Sequence, residues 1–142
     1  MKILILNGPN LNMLGTREPE IYGTETLADV ETLCEKTADG LGMRIDFRQS
    51  NHEGELVDWI QKARPEFDAI VINAAAYTHT SLAIHDALKA VNLPVAEVHI
   101  SDPSSRESFR HFSYIEPLAN IHVKGLGIKG YAIALEKLAH LL

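Results

Sequence analysis

The chain has 142 residues, 46% hydrophobic and 23% charged, with a formal net charge of −6. That length suits one domain of ordinary size, and the composition excludes a disordered or collagen-like chain. An acidic balance without a basic cluster argues against a partner held through nucleic-acid phosphates.

The first predicted element is the strand KILILN (2–7), followed by GPNLNMLGTREPEIYG. That loop carries Arg17 and Tyr22, neither of which a simple connector needs. A helix follows, with Leu27, Val30, Leu33, Cys34, Ala38 and Leu41 on one stripe. The strand RIDFRQ (44–49) and the loop SNHEG lead to a second helical stripe of Leu56, Trp59, Ile60 and Ala63. Next come the strand AIVINA (69–74), the loop AAYTHTS and a stripe of Ile84, Ala87, Leu88 and Val91. The strand VAEVHI (95–100) precedes SDPSSRESFR, and IHVKG (121–125) precedes GLGIKG. The last stripe runs from Ile128 through Tyr131, Ala132, Leu135, Leu138 and Ala139 to Leu142.

Alternating strands and helices predict an α/β fold, a five-stranded parallel sheet with right-handed crossovers and helices on both faces. Residues 1–142 read as a single domain. Ligands of such sheets bind beyond the carboxyl ends of the strands. The segments there supply Asn, His, Ser, Arg and Tyr, so a polar site built from several loops is expected, with few carboxylates. The single cysteine, Cys34, cannot form an internal disulfide, which fits a reducing compartment and a cytoplasmic location. The opening apolar run is too short for a signal peptide, and no run approaches the ~18 residues that span a bilayer.

Familiar nucleotide motifs do not fit. Neither a Walker A loop nor a G-x-G-x-x-G fingerprint follows the first strand. GLGIKG follows the last strand and reads as a turn into the final helix. A phospho-receiver would want an aspartate where Asn73 ends the third strand. His79, His85 and His99 are scattered in sequence and no cysteine joins them, so no metal site is expected.

The segments NGPNLNMLGTREPEIYG, RQSNHEGELVDWI, INAAAYTHTSLAIHDAL, EVHIS with RESFRHFSY, and GLGIKGY together resemble the type II 3-dehydroquinate dehydratase family. They occur in the family's order and cover most of the chain. One stretch departs: SDPSS stands where family members often read S-N-V, leaving Ser101 and Arg106 in place. The resemblance implies a flavodoxin-like doubly wound sandwich, assembled as a homo-dodecamer, a tetramer of trimers. It implies a cofactor-free anti elimination of water from 3-dehydroquinate to 3-dehydroshikimate through an enolate, in the shikimate pathway of aromatic amino acid biosynthesis. The alternative is a non-catalytic small-molecule-binding or signalling module on the same fold. Neither reading calls for nucleic acid or membrane as a partner.

By the same resemblance Tyr22 is the base, His99 the general acid, and Asn10 the residue that positions a water or donor at the enolate. Asn73, His79, Asp86 and Arg110 match residues that bind ring hydroxyls, and Ile100 with Ser101 matches the carboxylate-binding segment. Arg106 is expected to support the site. Glu97, two residues before His99 on the same strand face, can orient or charge its imidazole. A tyrosine must move about three units, or about 4 kcal/mol, to ionise at neutral pH. A cation ~4 Å away supplies that much only at an effective dielectric near ~20. Arg17 can therefore activate Tyr22 only in a closed, largely dry site, which makes the long first loop a candidate lid.

Overall fold

Strands β1 (Lys2–Asn7), β2 (Arg44–Gln49), β3 (Ala69–Asn73), β4 (Val95–His99) and β5 (Ile121–Lys124) form one sheet in the order β2-β1-β3-β4-β5. All four pairings are parallel. This is the flavodoxin-like order, in which the chain runs outward to one edge after β1 and then returns to build the other. The computed structural model describes residues 1–16 and 18–142, and of Tyr22 the backbone alone.

The central strands are apolar because both faces are covered. Ile3 and Ile5 face the helices α2 (Leu27–Gly40) and α5 (Lys129–Leu141), while Leu4 and Leu6 face α3 (Glu53–Gln61) and α4 (Leu82–Val91). Edge strand β2 is only partly buried, which matches its alternation of charged and apolar residues. Helix α2 starts at Thr26, whose hydroxyl accepts from the Asp29 backbone while the Asp29 carboxylate accepts from the Thr26 N–H, a reciprocal capping box. Ser81 caps α4 more simply, its hydroxyl accepting from the Ile84 N–H with no reciprocal bond.

Three expected strands end one residue early, because Ala74, Ile100 and Gly125 turn the chain out of the ladder. Gly125 does so at φ +77°, where a side chain would be strained. A short helix, α1 (Pro19–Tyr22), lies in what reads from sequence as plain loop. One turn is too short to show an apolar period, although Pro19 sits at the first helical position, which proline favours.

Candidate active site

The open edge of the cleft is set by how closely two strands approach at their carboxyl ends. Asn7 and Asn73 are paired in register, and the next residue, Gly8, donates its N–H to the Asn73 carbonyl at 2.8 Å. A Cβ on Gly8 would stand 2.3 Å from the Ala74 carbonyl oxygen, so only glycine allows this crossing. The chain then turns at Asn10, in the left-handed region at φ +68°, a conformation asparagine tolerates. Its N–H donates to Asn51 Oδ1 at 3.0 Å, and Gln49 Nε2 donates both to Asn51 Oδ1 and to the Gly8 carbonyl. The first loop is thus pinned from the end of β2.

Beside it opens a cleft of about 530 Å³, counted to its mouth, lined among others by Asn10, Asn73, His79, His99, Ser101 and Arg110. Ile100 and Arg106 also line it. Eight of the expected site and supporting residues therefore meet here, at the point where strand order reverses. Asp86 does not: it is exposed on α4, outside this cleft. Arg17 and the Tyr22 side chain lie outside the described residues.

His99 is 6% exposed and ends β4 at the cleft floor. Its Nε2 donates to Glu97 Oε2 at 2.9 Å, which leaves the other ring nitrogen for the cleft. Glu97 is fully buried and lines no part of the cleft. Its Oε2 also accepts from Thr78 Oγ1 and Ser113 Oγ, both at 2.8 Å. Burial by itself pushes this carboxyl up; the hydrogen bond and charge of His99, with the two hydroxyls, outweigh it and hold the group below the ordinary carboxylate range. An ionised Glu97 in turn holds the His99 ring in place by accepting its Nε2–H. Sequence reading missed Thr78 and Ser113 as partners of Glu97, since each looks like an ordinary loop hydroxyl.

His79 comes from the turn after β3 and stacks on His99, ring centroids 6.5 Å apart. Its Nδ1 donates to the Phe112 carbonyl at 2.8 Å, which turns Nε2 outward. Partial burial lowers its pKa, and the nearby charges of His99 and Arg110 add to this. His79 is thereby kept a neutral hydrogen-bonding group.

Asn73 has both ends of its amide engaged: Oδ1 accepts from the Ala75 N–H at 3.2 Å and Nδ2 donates to Tyr131 Oη at 3.0 Å. The Tyr131 hydroxyl donates to Asn7 Oδ1 at 2.7 Å. Complete burial raises the phenol's pKa, so it remains a neutral donor. Tyr131 reads as one more core position on a helical stripe, yet it aims a substrate-binding candidate.

The SDPSS departure is accommodated locally. Asp102 Oδ1 accepts from the Ser104 N–H and hydroxyl, capping a single 3₁₀ turn, Pro103–Ser105. Pro103 occupies the first position of that turn and lines the cleft without displacing Ser101 or Arg106. Arg106 reaches Glu18 at 3.8 Å, and Arg110 pairs with Glu107.

Of the three histidines that look scattered in sequence, His79 and His99 come together in space, while His85 stands apart and bonds the Tyr114 carbonyl. Register pairs Glu97 with His122 across β4 and β5, so His79, His99 and His122 gather around Glu97.

The family model for dehydroquinase class II matches residues 1–139. A 3-dehydroquinate dehydratase of Streptomyces avermitilis is 61% identical over 140 residues, covering 98% of this chain and 88% of that protein. One of Dinoroseobacter shibae is 55% identical, covering 99% of this chain and 95% of its own. The crystal structure of a type II dehydroquinase from Butyrivibrio crossotus superimposes with a TM-score of 0.94 at 46% identity, covering 97% of each chain.

Proposed function

The chain belongs to the dehydroquinase class II family, and from that premise we propose that it is a hydro-lyase converting 3-dehydroquinate to 3-dehydroshikimate. Residues 1–142 act as one catalytic unit, in the cytoplasm, on the shikimate route to aromatic amino acids. The observation that carries the reading is the Glu97–His99 pair, a buried carboxylate bonded at 2.9 Å to an imidazole at the cleft floor. A binding module has no use for an imidazole held against a buried carboxylate in this way.

In the proposed reaction Tyr22, activated by Arg17, removes a proton α to the ketone. The electron pair moves into an enolate, whose oxygen is met by a donor or water positioned at Asn10. The enolate then expels the β-hydroxyl, which takes its proton from His99 and leaves as water. Microscopic proton balance is restored when His99 is reprotonated and Tyr22 releases its proton. Ile100 and Ser101 take the substrate carboxylate, and Asn73, His79 and Arg110 the ring hydroxyls. General acid assistance of this kind contributes about 10²–10⁴-fold. No step calls for a cofactor or for a covalent link to the protein.

We also assign a homo-oligomer, a dodecamer of four trimers. Asp86 supports this: it matches a hydroxyl-binding residue yet is exposed on α4 outside its own cleft, so it reaches substrate only from a neighbouring copy.

The decisive experiment adds 3-dehydroquinate to the purified protein and follows ultraviolet absorbance. Growth of the conjugated enone band, lost in His99→Ala, is expected. A flat trace under conditions where the substrate binds would overturn the reading in favour of a binding module.

A further inference from the structure

The carboxylate of Glu97 is used unevenly. Oε2 takes three donors, while Oε1, fully buried, has no hydrogen bond among the described residues. His122 Nε2 stands 3.2 Å from Oε1 but off the alignment a hydrogen bond requires. A buried acceptor left in this way costs about 1–3 kcal/mol unless something else occupies it. Nothing in the dehydration requires His122.

We propose that Glu97, His99 and His122 form a binding site for a zinc ion, and that its occupation withdraws His99 from the reaction. One ligand atom from each residue lies within 4.8 Å of the other two. Glu97 Oε2 stands 2.9 Å from His99 Nε2 and Glu97 Oε1 stands 3.2 Å from His122 Nε2, both inside the spacing of ligands on a tetrahedral ion, so an entering ion has to part them slightly. Two ligands each about 2.1 Å from such an ion stand about 3.4 Å apart. Two imidazoles and one carboxylate are a donor set that zinc favours, with a fourth position left open.

A second feature fits a ligating histidine. His122 Nδ1 lies 3.3 Å from Glu116 Oε1, the carboxylate–imidazole pairing that fixes the tautomer of a metal-bound ring and raises its basicity. A narrow cavity, about 270 Å³ counted to its mouth, adjoins the cleft, sharing His79, His99 and Arg110 with it and reaching His122 and Glu116. It brings solvent to the two imidazoles and leaves room for a water as fourth ligand.

Binding exchanges protons for metal. The Nε2 proton of His99 and any proton on His122 Nε2 are released, while Thr78 and Ser113 go on donating to Glu97. His99 then holds the ion through the nitrogen that faced Glu97, and it no longer forms the imidazolium that protonates a leaving hydroxyl.

The test titrates metal-free protein with Co²⁺ and Zn²⁺, reading the ligand-field bands of four-coordinate cobalt and, by calorimetry, the zinc stoichiometry. One equivalent is expected. His122→Val, a substitution suited to a strand, should weaken it by about 100-fold and Glu116→Gln by about 10-fold. His122→Val should also lose the zinc inhibition seen in the parent, each rate being compared with its own metal-free value. Wild-type affinity in His122→Val, or no four-coordinate cobalt spectrum in the parent, would overturn the site. Stoichiometric zinc with an unchanged rate would overturn the withdrawal of His99. The cobalt and calorimetric readouts do not depend on the dehydratase reading.

Discussion

The Tyr131 hydroxyl stands between two asparagines, donating to Asn7 at 2.7 Å and accepting from Asn73 at 3.0 Å. One buried phenol thus ties β1, β3 and α5 together directly beneath the cleft. Tyr131→Phe leaves both amides short of a partner in a dry environment, which costs about 1–3 kcal/mol of stability in urea unfolding. It also frees the Asn73 amide to rotate. The loss in turnover should therefore appear chiefly as a raised KM, with kcat held within a few-fold. An unchanged KM would show that Asn73 is aimed by something else.

The proposed acid at the cleft floor can be separated from its partner. His99→Ala should lower kcat by about 10²–10⁴-fold, the range for a lost general acid. Glu97→Gln keeps the volume but replaces the carboxylate that fixes the His99 ring, so its kcat should fall less than that of His99→Ala. A kcat equal to the parent's would remove Glu97 from the account of how the imidazole is held.

Stability should depend on pH through the same residues. Glu97 is held below the ordinary carboxylate range, so its contribution is present above about pH 4, the unfolded value, and is lost as pH falls through the lower folded value. His79 is also lowered, so the unfolded chain takes up its proton first, near pH ~6.5, and the folded state weakens as pH falls below that. Acidification therefore destabilises in two stages. Urea midpoints measured across the range should show the upper stage missing in His79→Gln and the lower one reduced in Glu97→Gln. A parent whose midpoint rises on acidification would contradict both.

Tyr22→Phe removes the phenol oxygen but keeps the ring, so proton abstraction should be nearly abolished while the substrate still binds. Arg17→Lys keeps a positive charge without the planar guanidinium that can face a phenolate. If arginine activates the tyrosine, the lysine variant loses most activity at neutral pH and regains part of it as pH rises. A pH–rate profile parallel to the parent's, with the loss in KM, would make Arg17 a binding residue only.

The position of Asp86 makes a prediction about assembly. Asp86→Ala and Tyr22→Phe chains, each nearly inactive alone, should recover activity when unfolded and refolded as a mixture. Some sites would then draw both intact residues from different copies. Mixtures no more active than their components, in particles shown by light scattering to be mixed oligomers, would place Asp86 and Tyr22 in one chain's site.

Much of this molecule is written in local patterns. Apolar runs at KILIL and AIVI predict buried strands because both faces of a central parallel strand are covered, and the helical stripes follow from the same logic. The pairing of Glu97 with His99 is also legible, since residues two apart on a strand share a face. The quoted motifs carry the family, and with it most of the cleft's lining. What the sequence cannot express is register and reach. His122 meets Glu97 only because β4 and β5 pair Glu97 opposite His122, and a shift by one residue would turn its side chain to the other face. Tyr131 meets Asn7 across 124 positions and Asn73 across 58, through the docking of α5 on the sheet, and periodicity marks it only as core. Asp86 shows the same limit from the other side: its motif is plain, but it stands exposed on α4 and does not line its own cleft. Periodicity reports which face of an element is apolar; which side chains meet across elements is decided when the whole sheet and its helices pack.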